Sequence, residues 1–295
     1  QGLFGFSVLM LVGFLLIEYY SAEPIIPLVI FKNRIVAVSL TVTMLTGFGL
    51  FGSVIFVPLY FQGVLGASAT ASGNFLTPMM LGVVVGSVVS GQFLSRAGGH
   101  YKIQGIVGLA ILALGLTLLS RLGLETGFAE AVGYVSITGI GLGITMPLYT
   151  IAVQNAVPYD LLGVATSTTA FCRSLGGAFG LAVLGAVMHR RYAAELIEHL
   201  PAGLTSAVPL PQLLQMVNNP QALVHPAKQN LLEAMLAGAG PQGAELFAQL
   251  MRVMRQSLQS ALAQVFFVSL LVVVAAFGIN LFLKEIPLRR QHKTA

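Results

Sequence analysis

The sequence predicts an all-α integral membrane protein of about seven transmembrane helices. Three observations predict it. The 295 residues are 56% hydrophobic and only 8% charged, against about 25% charged in a soluble domain. From Ile35 to Ser95 there is no Asp, Glu, Lys or Arg. The apolar stretches run near the roughly 20 residues that cross a bilayer as a helix, and short charged or small-residue segments separate them. No aqueous core could hide so much apolar surface in a chain of this length. Lipid must be the solvent for most of it.

The elements follow in order. Residues 1–17 are uncharged and read as the end or bulk of one span, already in progress where the sequence opens, so an upstream part is expected. They carry neither the charged n-region nor the cleavage site of a signal peptide. Residues 18–34 form a loop with Glu18, Glu23, Pro24, Pro27, Lys32 and Arg34. The uncharged run is too long for one helix, and the small-residue break "QGVLGASATASGN" divides it into spans near 36–61 and 75–95. After the charged loop 96–102, spans are expected near 103–120 and 131–153. Pro158 breaks the chain, and Asp160 suits the N-cap of a helix over 161–188. Residues 190–255 hold six prolines and most of the remaining charges. Helical periodicity at both ends makes this an aqueous helical hairpin with an irregular tip. Residues 256–283 form the last span.

The expected organisation is a linking span and loop over 1–34, five helices over 35–189, an extracytoplasmic loop over 190–258, a last helix over 259–284 and a tail over 285–295. Orientation comes from cations in short loops. On the side of the tail lie Lys32, Arg34, Arg96, Lys102, Lys284, Arg289, Arg290 and Lys293, whereas short loops on the other side hold only Arg121. The C-terminus is therefore expected in the cytoplasm, and the protein in a bacterial cytoplasmic membrane.

Several chemistries are disfavoured. The cations sit at the ends of apolar runs, with no basic stripe for nucleic acid. His100, His189, His199, His225 and His292 lie in loops or at helix ends, with no metal-ligand spacing on a span. Cys172 is the single cysteine and has no histidine near it in sequence, so neither a disulfide nor an activated thiol is indicated. The chain does not read as an enzyme, and no metal or organic cofactor is expected. "GIGLG", Gly139–Gly143, lies inside a span and not after a strand, so it serves close helix crossing and not a dinucleotide. Gly82 and Gly86, like Gly176 and Gly180, have the small-xxx-small spacing of packing seams. Pro147, after Met146, removes one backbone hydrogen bond and bends or hinges its helix. Glycine-rich spans with short charged loops read as a secondary carrier. Nothing resembles a channel filter.

"GQFLSRAGGHYK", 91–102, resembles the second-half copy of the loop motif of the major facilitator superfamily. Gly91, Arg96 and Gly98 match it, and Ser95 stands where the motif has Asp. "FLLIEYYSAEPIIPLVIFKNR", "VPLYFQGVLGASATASG", "VQNAVPYDLLGVATSTTAFCRSLGGAFG" and "KEIPLR" resemble the fourteen-helix drug:proton antiporter branch. The resemblance implies the last seven spans of such a carrier, one linking helix and then the C-terminal six-helix bundle. It also implies a proton gradient as energy source, small lipophilic substrates and a missing N-terminal half that holds most of the coupling acids. No Asp or Glu lies deep within a span here, which agrees. Met146, Tyr149, Phe171 and Arg173 are the candidates for the substrate cavity, and Gly91, Arg96, Gly98 and Pro147 for gating. A periplasmic adaptor on the external loop is a further expected partner, beside the lipid bilayer. The alternative is a truncated or non-transporting membrane subunit whose external loop binds a partner.

Arg173 is the one charge within the span 161–188. Thr166, Thr169, Ala170, Gly176, Gly177 and Gly180 share its helix face, and Phe171 and Leu175 lie opposite. Small residues mark where helices meet, so Arg173 is expected to point into the bundle. There it should pair with backbone carbonyls or an acid, because an unpartnered charge costs at least ~2.5 kcal/mol.

Overall fold

A computed structural model describes residues 2–20, 28–68, 73–74, 76–96, 100–201, 203–204, 213, 215, 217–218, 220–237 and 242–287. Those residues form helices and loops without a strand. The long helices are α1 (Gly2–Tyr20), α2 (Arg34–Leu59), α3 (Leu76–Arg96), α4 (Tyr101–Leu119), α5 (Phe128–Ala156), α6 (Leu162–Glu198), α7 (Pro226–Ala237) and α8 (Gly243–Asn280). Six of them, α2 to α6 and α8, are long and apolar enough to cross a membrane. Helix α1 adds a seventh apolar helix, about 28 Å long at 1.5 Å per residue. It projects Phe6, Leu9, Met10, Leu16 and Ile17 outward.

The six spans fall into two three-helix sets, α2-α3-α4 and α5-α6-α8. Helix α3 packs on α5, and α2 packs on α6. Helix α4 also packs on α5, and α8 on α2. These four contacts exchange pairwise when the two sets are swapped, the signature of an internal repeat. Helices α2 and α5 are both central: α5 touches α2, α3, α4 and α6, and α2 touches α3, α5, α6 and α8.

Glycine lets the backbones meet. A methyl added at Gly82 of α3 would lie 2.6 Å from the Ser136 carbonyl oxygen of α5. Methyls at Gly139 and Gly143 of α5 would strike the Met79 and Val83 carbonyls of α3. The α2–α6 seam repeats the device with Gly47 against Arg173 and with Gly176 and Gly180 against Met44 and Phe48. All four small-xxx-small glycines read from the sequence therefore sit in helix crossings, with Gly139 and Gly143 among them.

Polar side chains fasten the ends. At the end that carries the C-terminal tail, Asn33 accepts from the Ile35 N–H as the N-cap of α2 and donates to the Ala156 carbonyl, 2.9 Å each. Asn155 donates to the Pro287 carbonyl at 3.1 Å. At the opposite end, Tyr60 donates to the Gly123 carbonyl and Gln259 to the Leu122 carbonyl. Helix α2 leaves the bundle there through a π turn, Tyr60–Val64, followed by Gly66 at φ +71°, a conformation that suits glycine.

Two sequence expectations change in detail. Asp160 is not an N-cap. It lies in the 3₁₀ turn Tyr159–Leu161, and Leu161 holds the N-cap of α6 without a side-chain bond, because the tight turn after Pro158 delays the first α turn. Helices α6 and α8 also continue past the apolar runs, to Glu198 and back to Gly243. At about 55 Å each they outrun a hydrocarbon layer of about 30 Å. Their projecting ends, with α7, carry the apolar core of the spans onward through Leu196, Val217, Leu232, Leu250 and Met254. Tyr192 is buried in it and donates to the Val217 carbonyl at 2.9 Å.

Candidate functional site

Pro147 interrupts the hydrogen-bond ladder of α5 without ending the helix. Its nitrogen carries no hydrogen, so the Gly143 carbonyl four residues earlier loses its helical donor. Ser87 of α3 supplies a replacement, its hydroxyl donating to that carbonyl at 3.0 Å. One turn on, Ser90 donates to the Ile144 carbonyl at 3.0 Å, and Gln104 of α4 donates to the Ser90 carbonyl and hydroxyl oxygens at 2.7 Å each. The interrupted turn is thus stitched on one side to α3 and α4.

On its other side Arg173 reaches it from α6. Its guanidinium donates through Nη2 to the Met146 carbonyl at 3.2 Å. The same carbonyl accepts from the Thr150 hydroxyl at 3.0 Å. Arg173 is half-buried, and its buried Nε has no partner among the described residues. Those residues hold no acid paired with it. Gly176, Gly177 and Gly180 pack on α2, and Phe171, on the far face, is 45% exposed. Small residues put Arg173 on the inward side, and it hydrogen-bonds one of the backbone carbonyls expected from the sequence.

The candidate residues divide. Met146, Pro147 and Arg173 come together at the junction of α5 and α6. Phe171 lies on the same helix but faces outward. Tyr149 is buried elsewhere: its hydroxyl donates to Asn280 Oδ1 at 3.0 Å, and Asn280 Nδ2 donates to the Lys102 carbonyl at 3.2 Å. That chain ties α5, α8 and α4 together near the tail end, and in this conformation Tyr149 reaches no surface. Arg96 is exposed at the end of α3, in a crevice with Val89, Gln92 and Phe93. Gly91 meets no neighbour where a methyl would be added. Gly98 lies outside the described residues.

Sequence reasoning missed Ser87, Ser90, Gln104 and Asn280. One signal was available. A proline within a span frees the carbonyl four residues back, which demands a donor on the neighbouring helix, and α3 carries serines beside its glycine seam. Asn280 also had a mark, an amide at the end of a long apolar run. Nothing local says which helix it meets.

Comparison with known proteins agrees with this architecture. Residues 3–181 match the family model of the Major Facilitator Superfamily. The multidrug transporter protein MdtP of Bacillus subtilis (strain 168) is 35% identical over 295 residues, covering 97% of this chain and 53% of its own length. The tetracycline resistance determinant of Streptomyces rimosus is 30% identical over 273 residues, covering 90% of this chain and 76% of its own length. The tetracenomycin C resistance and export protein of Streptomyces glaucescens is 32% identical over 190 residues, covering 64% of this chain and 35% of its own length. The chain thus spans about half the length of MdtP. It is a multi-pass membrane protein that belongs to the Major Facilitator Superfamily, within the drug-efflux branch.

Proposed function

We propose that this chain is the C-terminal transport bundle of a proton-coupled exporter of lipophilic compounds in a bacterial cytoplasmic membrane, with its tail in the cytoplasm. The junction of α5 and α6 carries the reading. There a proline-interrupted helix inside the bundle is joined to α6 by two side-chain hydrogen bonds, Arg173 to the Met146 carbonyl and Gln154 to the Thr166 hydroxyl, an arrangement that can change partners without exposing an unpaired backbone to lipid. The relatives named for multidrug transport and antibiotic resistance support the same direction.

Coupling is assigned to another bundle of the carrier. Among the described residues no acid pairs with Arg173 or lies within the glycine seams, whereas an intramembrane proton relay calls for an ionisable acid. Expressed alone, the chain is expected to give no proton-gradient-dependent efflux of a lipophilic dye. Joined to an upstream bundle of the same branch it is expected to give efflux that a protonophore abolishes. Protonophore-sensitive efflux by the isolated chain would place coupling within these six spans and overturn the assignment. Orientation is read separately: with Cys172 replaced, Lys228→Cys should react with an impermeant thiol reagent added outside, and Lys284→Cys should not.

A second reading, a non-transporting subunit whose external cap binds a partner, is favoured by the packed extension of α6 and α8 around Tyr192 beyond the spans. Absence of dye efflux from the joined carrier, at normal membrane abundance, would favour it.

A further inference from the structure

We propose that the crevice between α4, α6 and α8 at the hairpin end binds the phosphate headgroup of an anionic phospholipid. The proposal rests on placement within a membrane and not on the transported substrate. Two adjoining hollows of about 330 Å³ and 400 Å³ share Arg191 and Gln264. Arg190 lines the first, and Ser120, Ser260 and Phe267 line the second.

Depth singles out a lipid. Gln264 lies about 24 Å along α8 from its last residue, Asn280, and the turn beyond carries the chain on to Lys284 with no charge between. Eighteen residues separate Lys102 from Ser120 on α4, or about 27 Å. Both intervals approach the hydrocarbon thickness of about 30 Å. Two helices thus independently set the crevice at headgroup level when Lys102 and Lys284 sit at the opposite surface. Below it, Phe267, Leu271 and Val274 form an exposed stripe down α8, each about half accessible, where an acyl chain can lie.

Charge gives the headgroup class. Arg191 is held by Glu195 and donates through Nε to the Ser260 hydroxyl at 3.3 Å, and Ser260 donates to Glu195 at 3.1 Å. Glu195 also faces His199 at 3.5 Å, so the acid beside the crevice is already engaged. Arg190 is exposed and makes no hydrogen bond or ion pair among the described residues. An unpaired guanidinium beside a positioned one, with the Gln264 amide at headgroup depth, fits a phosphate diester.

The test is a titration of the purified chain with phosphatidylglycerol, read by native mass spectrometry. Phosphatidylcholine with the same acyl chains is the comparator, and inorganic phosphate the competitor. Phosphatidylglycerol should bind at least fivefold tighter than phosphatidylcholine. Arg190→Gln, which disturbs no internal bond, should erase that preference, and Arg121→Gln, at the same end but outside the crevice, should keep it. Millimolar inorganic phosphate should not displace the lipid. Equal binding of the two lipids, or an unchanged preference in Arg190→Gln, overturns the proposal. Displacement by inorganic phosphate also overturns it, in favour of a site for small oxyanions.

Discussion

The α3–α5 and α2–α6 crossings hold equivalent places in the internal repeat, and both bring backbones together over glycine. Across the first, Ser87 and Ser90 donate directly to carbonyls of α5 on the turn before Pro147. The second is filled by glycines and the rings of Phe48 and Phe51, and the interhelical hydrogen bonds of its helix α6 run to α5 and α8 instead. Hydrogen bonds between specified atoms fix a register, whereas van der Waals contact tolerates sliding. The comparison suggests that α3 and α5 move as one body and that α2 and α6 carry the adjustable crossing. Arg173 links the two.

The largest expected effect comes from separating the fixed pair. Gly139→Leu places a branched side chain where even a methyl meets the Met79 carbonyl. Backbone cannot yield as a side-chain tip can, and overpacking of this kind costs several kcal/mol. Membrane abundance should fall at least tenfold by immunoblot. A Gly139→Leu protein of normal abundance would mean that the α3–α5 crossing is not rigid.

Arg173 should have a smaller and different effect, on motion more than on folding. In a carrier that contains this chain, Arg173→Ala is expected to lower dye efflux about tenfold at matched abundance. Arg173→Lys should lose less, since an ammonium can still donate to the Met146 carbonyl but lacks the planar fork. Equal efflux from Arg173→Ala and the parent would reduce the arginine to an anchor and remove the link between the two crossings.

The sequence disclosed the two crossings unevenly. Spans were legible because charge is nearly absent from lipid-facing helices, so runs such as Ile35–Ser95 stand out. The glycine seams were legible because small residues recur at fixed spacing. The full lengths of α6 and α8 were not. "HRRYAAELIE" has helical period but aqueous composition, and composition marks where the membrane ends, not where the helix ends. The inward placement of Arg173 was legible from its small neighbours on one face. The partners of Tyr149 and Ser87 were not, since they lie 131 and 56 residues away and depend on the packing of whole helices.

The smallest effect tests the hydrogen bonds of the fixed crossing by themselves. Ser87→Ala removes one hydroxyl and leaves the Gly143 carbonyl, already deprived of its helical donor by Pro147, without the partner it has here. Interhelical hydrogen bonds in membranes average ~0.6 kcal/mol, with a maximum near ~1.7. This one should stand toward the upper part, about 1 kcal/mol, because Pro147 brings no N–H to that carbonyl. Gly91→Ala on the same helix is the control. A methyl there meets nothing, and alanine is favoured over glycine inside a helix by about 0.5–1 kcal/mol. Unfolding of the purified chain in mixed detergent micelles should therefore shift down for Ser87→Ala and stay level or rise for Gly91→Ala. If Ser87→Ala unfolds at the midpoint of the parent, the serine bonds do not distinguish the α3–α5 crossing from α2–α6. The difference in mobility would then have to come from the glycines and rings alone.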